Sequence, residues 1–185
     1  MNDDAAKRLA DGARLAGLAG VRLIVFDVDG VLTDGSVIVD EQGVETRRFH
    51  IRDGLAFKLA RSQGVEVAIL SSRKSEAVTR RMGKLGVEHL VQGANDKRAG
   101  LERLLASAGM DGAHAAYVGD DLQDIPAMRL CAYPMAVADA AAEVRAAAVY
   151  VTTTPGGRGA AREAVEHVLR GQGKWDAAVR AMTGG

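Results

Sequence analysis

The chain has 185 residues, enough to bury one real core, and its 48% hydrophobic and 26% charged residues are the balance of an ordinary soluble globular protein. Lys+Arg and Asp+Glu both number 24, so the formal net charge is zero and no global electrostatic footprint for nucleic acid exists. The single cysteine, Cys131, excludes an internal disulfide. Residues 1–18 lack the apolar stretch of a signal peptide, and no run reaches membrane-spanning length. The expectation is a cytoplasmic protein without nucleic-acid or membrane partners.

Residues 21–26 form a short β-branched and apolar run that reads as a buried parallel strand ending in Asp27 and Asp29. Residues 36–39 and 44–49 flank Asp40-Glu41-Gln42-Gly43, a hairpin signal with turn chemistry at its centre. Residues 53–62 have helical spacing, closed by Gly64. Strand 65–70, helix 74–85 ending at Gly86, strand 89–91 and helix 96–108 ending at Gly109 follow. Next come strand 115–118, a helix at 122–130, strands 132–136 and 149–151 around an Ala-rich helix, and helix 160–169. Residues 171–185 read as a Gly-rich tail, with Trp175 as a possible anchor.

This alternation predicts an α/β fold, a doubly wound parallel sheet with a β-hairpin insertion and no separate cap domain. The whole chain, 1–185, reads as one domain: core about 21–170, hairpin about 36–49, tail 171–185. Ligands of such sheets bind at the carboxyl ends of the strands, so the residues just after each strand carry the chemistry.

Asp27-Val28-Asp29-Gly30 places two carboxylates two residues apart after the first strand. One can attack while the other shuttles a proton; a solvated Asp-rich turn is the plainer alternative. A calcium loop is rejected because Val31 and Leu32 fall where oxygen ligands are needed. Gly119-Asp120-Asp121-Leu122-Gln123-Asp124 brings further carboxylates to another strand end. Converging carboxylates with no His or Cys suit a hard cation such as Mg2+, although helix capping by Asp120 or Asp121 is compatible with the same residues. Ser71-Ser72-Arg73 and Asn95-Asp96-Lys97 supply a hydroxyl and a cation at two more strand ends, suited to phosphate oxygens.

In this order and placement the motifs resemble the haloacid dehalogenase superfamily of phosphotransferases, over about residues 21–169. A narrower resemblance is carried by Asp27-Val-Asp29-Gly-Val-Leu-Thr33-Asp34-Gly35, Ile51-Arg52-Asp53-Gly54, Gly119-Asp-Asp-Leu-Gln-Asp124 and the stretch from Tyr150 to Glu163. These resemble the 3-deoxy-D-manno-octulosonate 8-phosphate phosphatases.

The resemblance implies that Asp27 is the nucleophile and Asp29 the general acid/base. It implies that Mg2+ is held by Asp27, the backbone carbonyl of Asp29 and Asp120, positioned by Asp121 and Asp124. Ser71 and Lys97 would hold the phosphoryl group. Substrate contacts would fall on Asp29, His50, Ile51, Arg52, Asp53, Gly54, Lys58, Arg73, Arg81 and Lys97. Arg73 and Arg81 lie eight residues apart, about two helical turns, so both could face one site.

The substrate implied is a small phosphorylated sugar acid, on the way to a cell-surface sugar. The assembly implied is a homotetramer whose neighbouring subunits complete the site, with hairpins packed between subunits and a neighbour's tail over the site. The chain departs from the family where Ser71-Ser72-Arg73 replaces Thr-Gly-Arg, where Lys58 replaces Arg and where His50 replaces Asn. Rival readings are a phosphatase for a nine-carbon sugar acid 9-phosphate and, in another class, a catalytically weak oligomerising scaffold.

Overall fold

The structure is a computed structural model and describes residues 17–184. Almost all of the stretch judged for a signal peptide, residues 1–18, lies outside the described residues. Among the described residues no helix is long and apolar enough to cross a membrane.

The strands are β1 (Leu23–Phe26), β2 (Ile38–Val39), β3 (Glu45–Thr46), β4 (Glu66–Ser71), β5 (His89–Gln92), β6 (Ala115–Gly119), β7 (Tyr133–Ala136) and β8 (Tyr150–Val151). The helices are α1 (Ile51–Ser62), α2 (Glu76–Leu85), α3 (Lys97–Ser107), α4 (Ile125–Met128), α5 (Ala142–Ala147), α6 (Ala160–Gly171) and α7 (Trp175–Thr183). Six strands form one sheet in the order β5-β4-β1-β6-β7-β8, every pair parallel, while β2 and β3 form a separate antiparallel hairpin.

Every residue of β1 and β6 is buried, which is why these segments are continuous apolar runs rather than alternating ones. Two groups of helices cover the sheet: α1 with α2, α6 and α7, and α3 with α4 and α5. From β1 the chain moves outward to β4 and β5, then crosses back to β6 on the other side of β1. The order reverses between β1 and β6, so a crevice opens at their carboxyl ends, where Asp27 and Asp120 follow.

Local signals place the helix ends. The Ser75 side chain accepts from the Val78 N–H and caps α2, and Gly86 closes it in the left-handed conformation. The Asp96 side chain accepts from the Ala99 N–H and caps α3. The expected helix at 122–130 is instead a 3-10 turn, Leu122–Asp124, followed by the short α4 with Pro126 in its first turn. The Gly156-Gly157-Arg158 loop packs its backbone on the loop after β1. The Gly157 N–H donates to the Val31 carbonyl at 2.9 Å, and a Cβ at Gly156 would overlap the Gly30 carbonyl.

Where a Gly-rich tail was the expectation, the chain forms α7. Trp175 and Ala178, three apart, put one buried face on the protein's own α1 and α6. The guanidinium carbons of Arg162 and Arg170 each lie over the Trp175 ring, 4.9 and 4.8 Å from its centroid. The arm thus docks on its own chain.

Candidate active site

Asp27 closes β1, and its N–H donates to the Val118 carbonyl at 3.1 Å, so the sheet itself holds the residue's backbone. Lys97 opens α3, where a lysine is usually solvated; here it turns inward and is 2% exposed. Its Nζ lies 2.6 Å from Asp27 Oδ1 and 2.6 Å from Asp124 Oδ1. Asp124 is fully buried and fully partnered. Its Oδ1 also accepts from the Tyr117 hydroxyl at 2.8 Å, and its Oδ2 accepts the N–H groups of Asp120 and Asp121 at 3.0 and 3.2 Å. Asp120 differs: its Oδ1 is buried without a partner. Gly30, at φ +98°, gives Asp120 its space, since a Cβ there would overlap the Asp120 carboxylate.

Carboxylate oxygens of Asp27, Asp120 and Asp124 lie within 4.8 Å of one another. Against these three acids stands one ammonium. Burial pushes the Asp27 carboxyl up to about 6 despite the opposing pull of Lys97. Burial, with the charges of Asp27 and Asp124, pushes Asp120 up to about 8. Burial alone would lower the Lys97 ammonium, but Asp27 and Asp124 outweigh it and hold the group above its ordinary value. The cluster is thus short of positive charge, has oxygen donors only and keeps an orphaned carboxylate oxygen. A hard divalent cation fits those conditions. Asp27 and Asp120 would hold it, with Asp124 bracing Lys97 and the loop backbone.

Asp121 lies apart from this cluster. It is exposed, and its carboxylate accepts from the Leu122 N–H at 2.7 Å as the cap of the 3-10 turn, so it shapes the loop that carries Asp120. Asp29 adds no side chain to the cluster either. Its Oδ1 accepts from Arg47 Nε at 2.9 Å, and Arg47 Nη1 also donates to Ser75 Oγ at 2.9 Å. Ser71 ends β4, is buried, and accepts the Arg73 N–H at 3.2 Å. Ser72 Oγ donates to Gln123 Oε1, tying the β4 loop to the β6 loop.

The residues expected to contact substrate do not all meet in one place. Arg73 borders a cavity of about 580 Å3 together with Gly43, Glu45, Arg47 and Ser75. Ile51, Gly54, Lys58 and Arg81 line a different cleft of about 310 Å3 between α1 and α2. The two-turn argument for Arg73 and Arg81 fails because α2 begins only at Glu76 and Arg73 sits in the loop before it. Gly54 serves helix packing, since a Cβ there would meet Arg81 Nη2 at 2.8 Å and Leu85 Cδ2 at 2.9 Å. Arg52 is exposed on α1, and His50 is its N-cap residue without a side-chain cap bond.

Asp53 is buried; its Oδ1 accepts the Arg162 N–H at 2.9 Å, while its Oδ2 and His50 Nδ1 both lack partners. Burial pushes the Asp53 carboxyl up from 3.8 to about 6. A raised carboxyl contributes stability below its unfolded value, and that contribution is lost as pH rises through about 6. Asp53→Asn, which has no carboxyl to ionise, is therefore expected to gain stability over wild type on the order of 2–3 kcal/mol above about pH 7. Melting temperatures measured from about pH 4 to about pH 8 check this, and the gap should close toward acid.

Arg47, Glu45 and Tyr117 were not singled out from the sequence. A signal was present for two of them: Glu45 and Arg47 are two apart in the expected strand 44–49, a spacing that puts extended residues on one face.

A family model for haloacid dehalogenase-like hydrolases matches residues 89–163. The 3-deoxy-D-manno-octulosonate 8-phosphate phosphatase of Escherichia coli K12 is 41% identical over 164 residues, covering 89% of this chain and 87% of that one. Among solved structures, the enzyme of that name from Moraxella catarrhalis, in complex with magnesium ion, phosphate ion and KDO, superposes with a TM-score of 0.87. It is 36% identical and covers 91% of this chain and 97% of that one. The cobalt-bound deoxy-D-mannose-octulosonate 8-phosphate phosphatase from Haemophilus influenzae gives a TM-score of 0.84 at 38% identity, covering 87% of this chain and 94% of that one. With its doubly wound sheet and its acidic cluster at the switch point, the chain belongs to the 3-deoxy-D-manno-octulosonate 8-phosphate phosphatase family of haloacid dehalogenase-like hydrolases, and it is a phosphatase.

Proposed function

We propose that this phosphatase hydrolyses 3-deoxy-D-manno-octulosonate 8-phosphate to the free sugar acid and phosphate, through an aspartyl phosphate on Asp27. The observation that carries the reading is the buried Asp27–Lys97–Asp124 chain beside Asp120, at the switch point of the sheet. An Asp27 carboxylate oxygen attacks phosphorus while the bond from phosphorus to the sugar oxygen breaks. Asp29 gives its proton to that oxygen; Arg47 holds Asp29 Oδ1 and leaves Oδ2 for the proton. Asp29 then takes a proton from water as the water oxygen attacks phosphorus, releasing phosphate and restoring the Asp27 carboxylate.

Lys97 and Ser71 hold the phosphoryl oxygens. Mg2+, when bound by Asp27, Asp120 and the backbone carbonyl of Asp29, would supply positive charge against the charge of the phosphoryl group. Much of the catalysis is then electrostatic and built in advance, because the donors and charges are fixed by the sheet and by Asp124.

Association completes the site in this reading. The hairpin exposes Val37, Ile38, Val39 and Val44, each by more than half, an apolar surface that fits packing between copies of the chain as a tetramer. The cleft with Lys58 and Arg81 would then serve a neighbouring chain's site.

The reading is tested by phosphate release from the eight-carbon 8-phosphate and from a nine-carbon sugar acid 9-phosphate, each with magnesium and with excess chelator. The eight-carbon substrate should have the higher kcat/KM, chelation should stop turnover, and added magnesium should restore it. Asp120→Ala should lower kcat by on the order of 1,000-fold at saturating magnesium, because it removes one of the two carboxylates that would hold the ion. Turnover that persists in chelator, or a preference for the nine-carbon substrate, contradicts the proposal.

A further inference from the structure

Glu45 opens β3 and Arg47 directly follows that strand. Arg47 is nearly buried and committed to Asp29 and Ser75. Glu45 turns to Arg73: both of its oxygens accept from Arg73 Nη2, at 2.9 and 2.8 Å, and Arg47 Nη1 stands 3.7 Å from its Oε2. The side chains of Glu45 and Arg73 are each 42% exposed. Both border the cavity of about 580 Å3, and both also line the narrower recess that contains Asp29. A glutamate carboxylate therefore occupies a guanidinium in the recess that contains Asp29.

We propose that Glu45 is a built-in stand-in for the substrate carboxylate: it occupies Arg73 in the free enzyme and is displaced when a phosphorylated sugar acid enters. The inference deepens the sugar-acid reading and rests on it. With the phosphoryl group at Asp27, Ser71 and Lys97, the rest of the substrate runs past Asp29 toward Arg73. A guanidinium donates to either carboxylate in the same way. The Glu45–Arg73 pair is open to water, and such pairs are weak. A carboxylate already tethered by its phosphoryl end competes at a high local concentration. A neutral sugar phosphate makes no demand on Arg73 and leaves the Glu45–Arg73 pair in place, so Glu45 affects its binding less than it affects the acid's.

The test uses the full chain as wild type, Glu45→Gln, Arg73→Ala and the double variant, with octulosonate 8-phosphate and mannose 6-phosphate as substrates. Glu45→Gln should lower KM for the acid by about three- to tenfold, and by more than it lowers KM for the neutral ester. Arg73→Ala should raise KM for the acid, and adding Glu45→Gln to it should then change nothing. Calorimetric binding of the free sugar acid to the same proteins follows the same order and reads the effect if a variant loses turnover. An unchanged or raised KM for the acid in Glu45→Gln, or a Glu45→Gln effect that survives without Arg73, overturns the inference. A wild type that treats the two substrates alike overturns the sugar-acid reading itself, and the inference with it.

Discussion

Asp27→Asn is expected to abolish phosphate release while leaving the fold intact. The amide matches the carboxylate in shape, and Lys97 keeps Asp124 as its ionic partner at 2.6 Å. An amide cannot form the phosphoenzyme, and losing a nucleophile of this kind costs at least about 10,000-fold in kcat. Steady-state assays with circular dichroism on the same sample check the two halves of the expectation. A variant that is folded and retains a tenth of wild-type activity would remove Asp27 from the chemistry.

The largest effect on stability is expected at Lys97. Lys97→Met keeps most of the side-chain volume, so the cavity contribution is small. It leaves Asp27 and Asp124 buried without their cation, and breaking a buried pair from one side costs about 3–5 kcal/mol. The loss should depend on pH in a definite direction. Burial already raises the Asp27 carboxyl to about 6 with Lys97 present, and without it the value rises further. Protonated carboxyls need no partner charge, so the deficit should shrink as pH falls through about 6 and be largest above it. Urea unfolding at about pH 5 and about pH 8 measures this. Activity should fall with the substitution as well, since the ammonium that would hold the phosphoryl group is gone.

The sheet was legible because β1 and β6 are short apolar runs, one followed by Asp27 and the other ending in Gly119, and a strand buried on both faces has no other way to look. The acidic cluster was legible for the same reason, since strand ends of such a fold are where ligands bind. Contacts that depend on side-chain direction were not. Arg81 is two helical turns from Arg73 only if one helix contains both, and capping by Ser75 starts that helix too late. Tyr117 lies in the expected strand 115–118 and is buried there, yet nothing in the sequence says that its hydroxyl reaches Asp124. The last segment was hidden by its glycines. Gly173 ends one helix, and the small apolar face of Trp175 and Ala178 finds its place only once Arg162 and Arg170 are brought together on α6.

Trapping the covalent intermediate tests the central claim most directly. Wild-type protein turning over octulosonate 8-phosphate with magnesium is quenched in acid, reduced with borohydride and digested, because borohydride converts an acyl phosphate of aspartate to homoserine. The account predicts homoserine at position 27 in quenched wild type, none in protein quenched without substrate and none in Asp29→Asn quenched before substrate is added. Homoserine at position 29 or 120, or rapid turnover with no residue reduced, would contradict it.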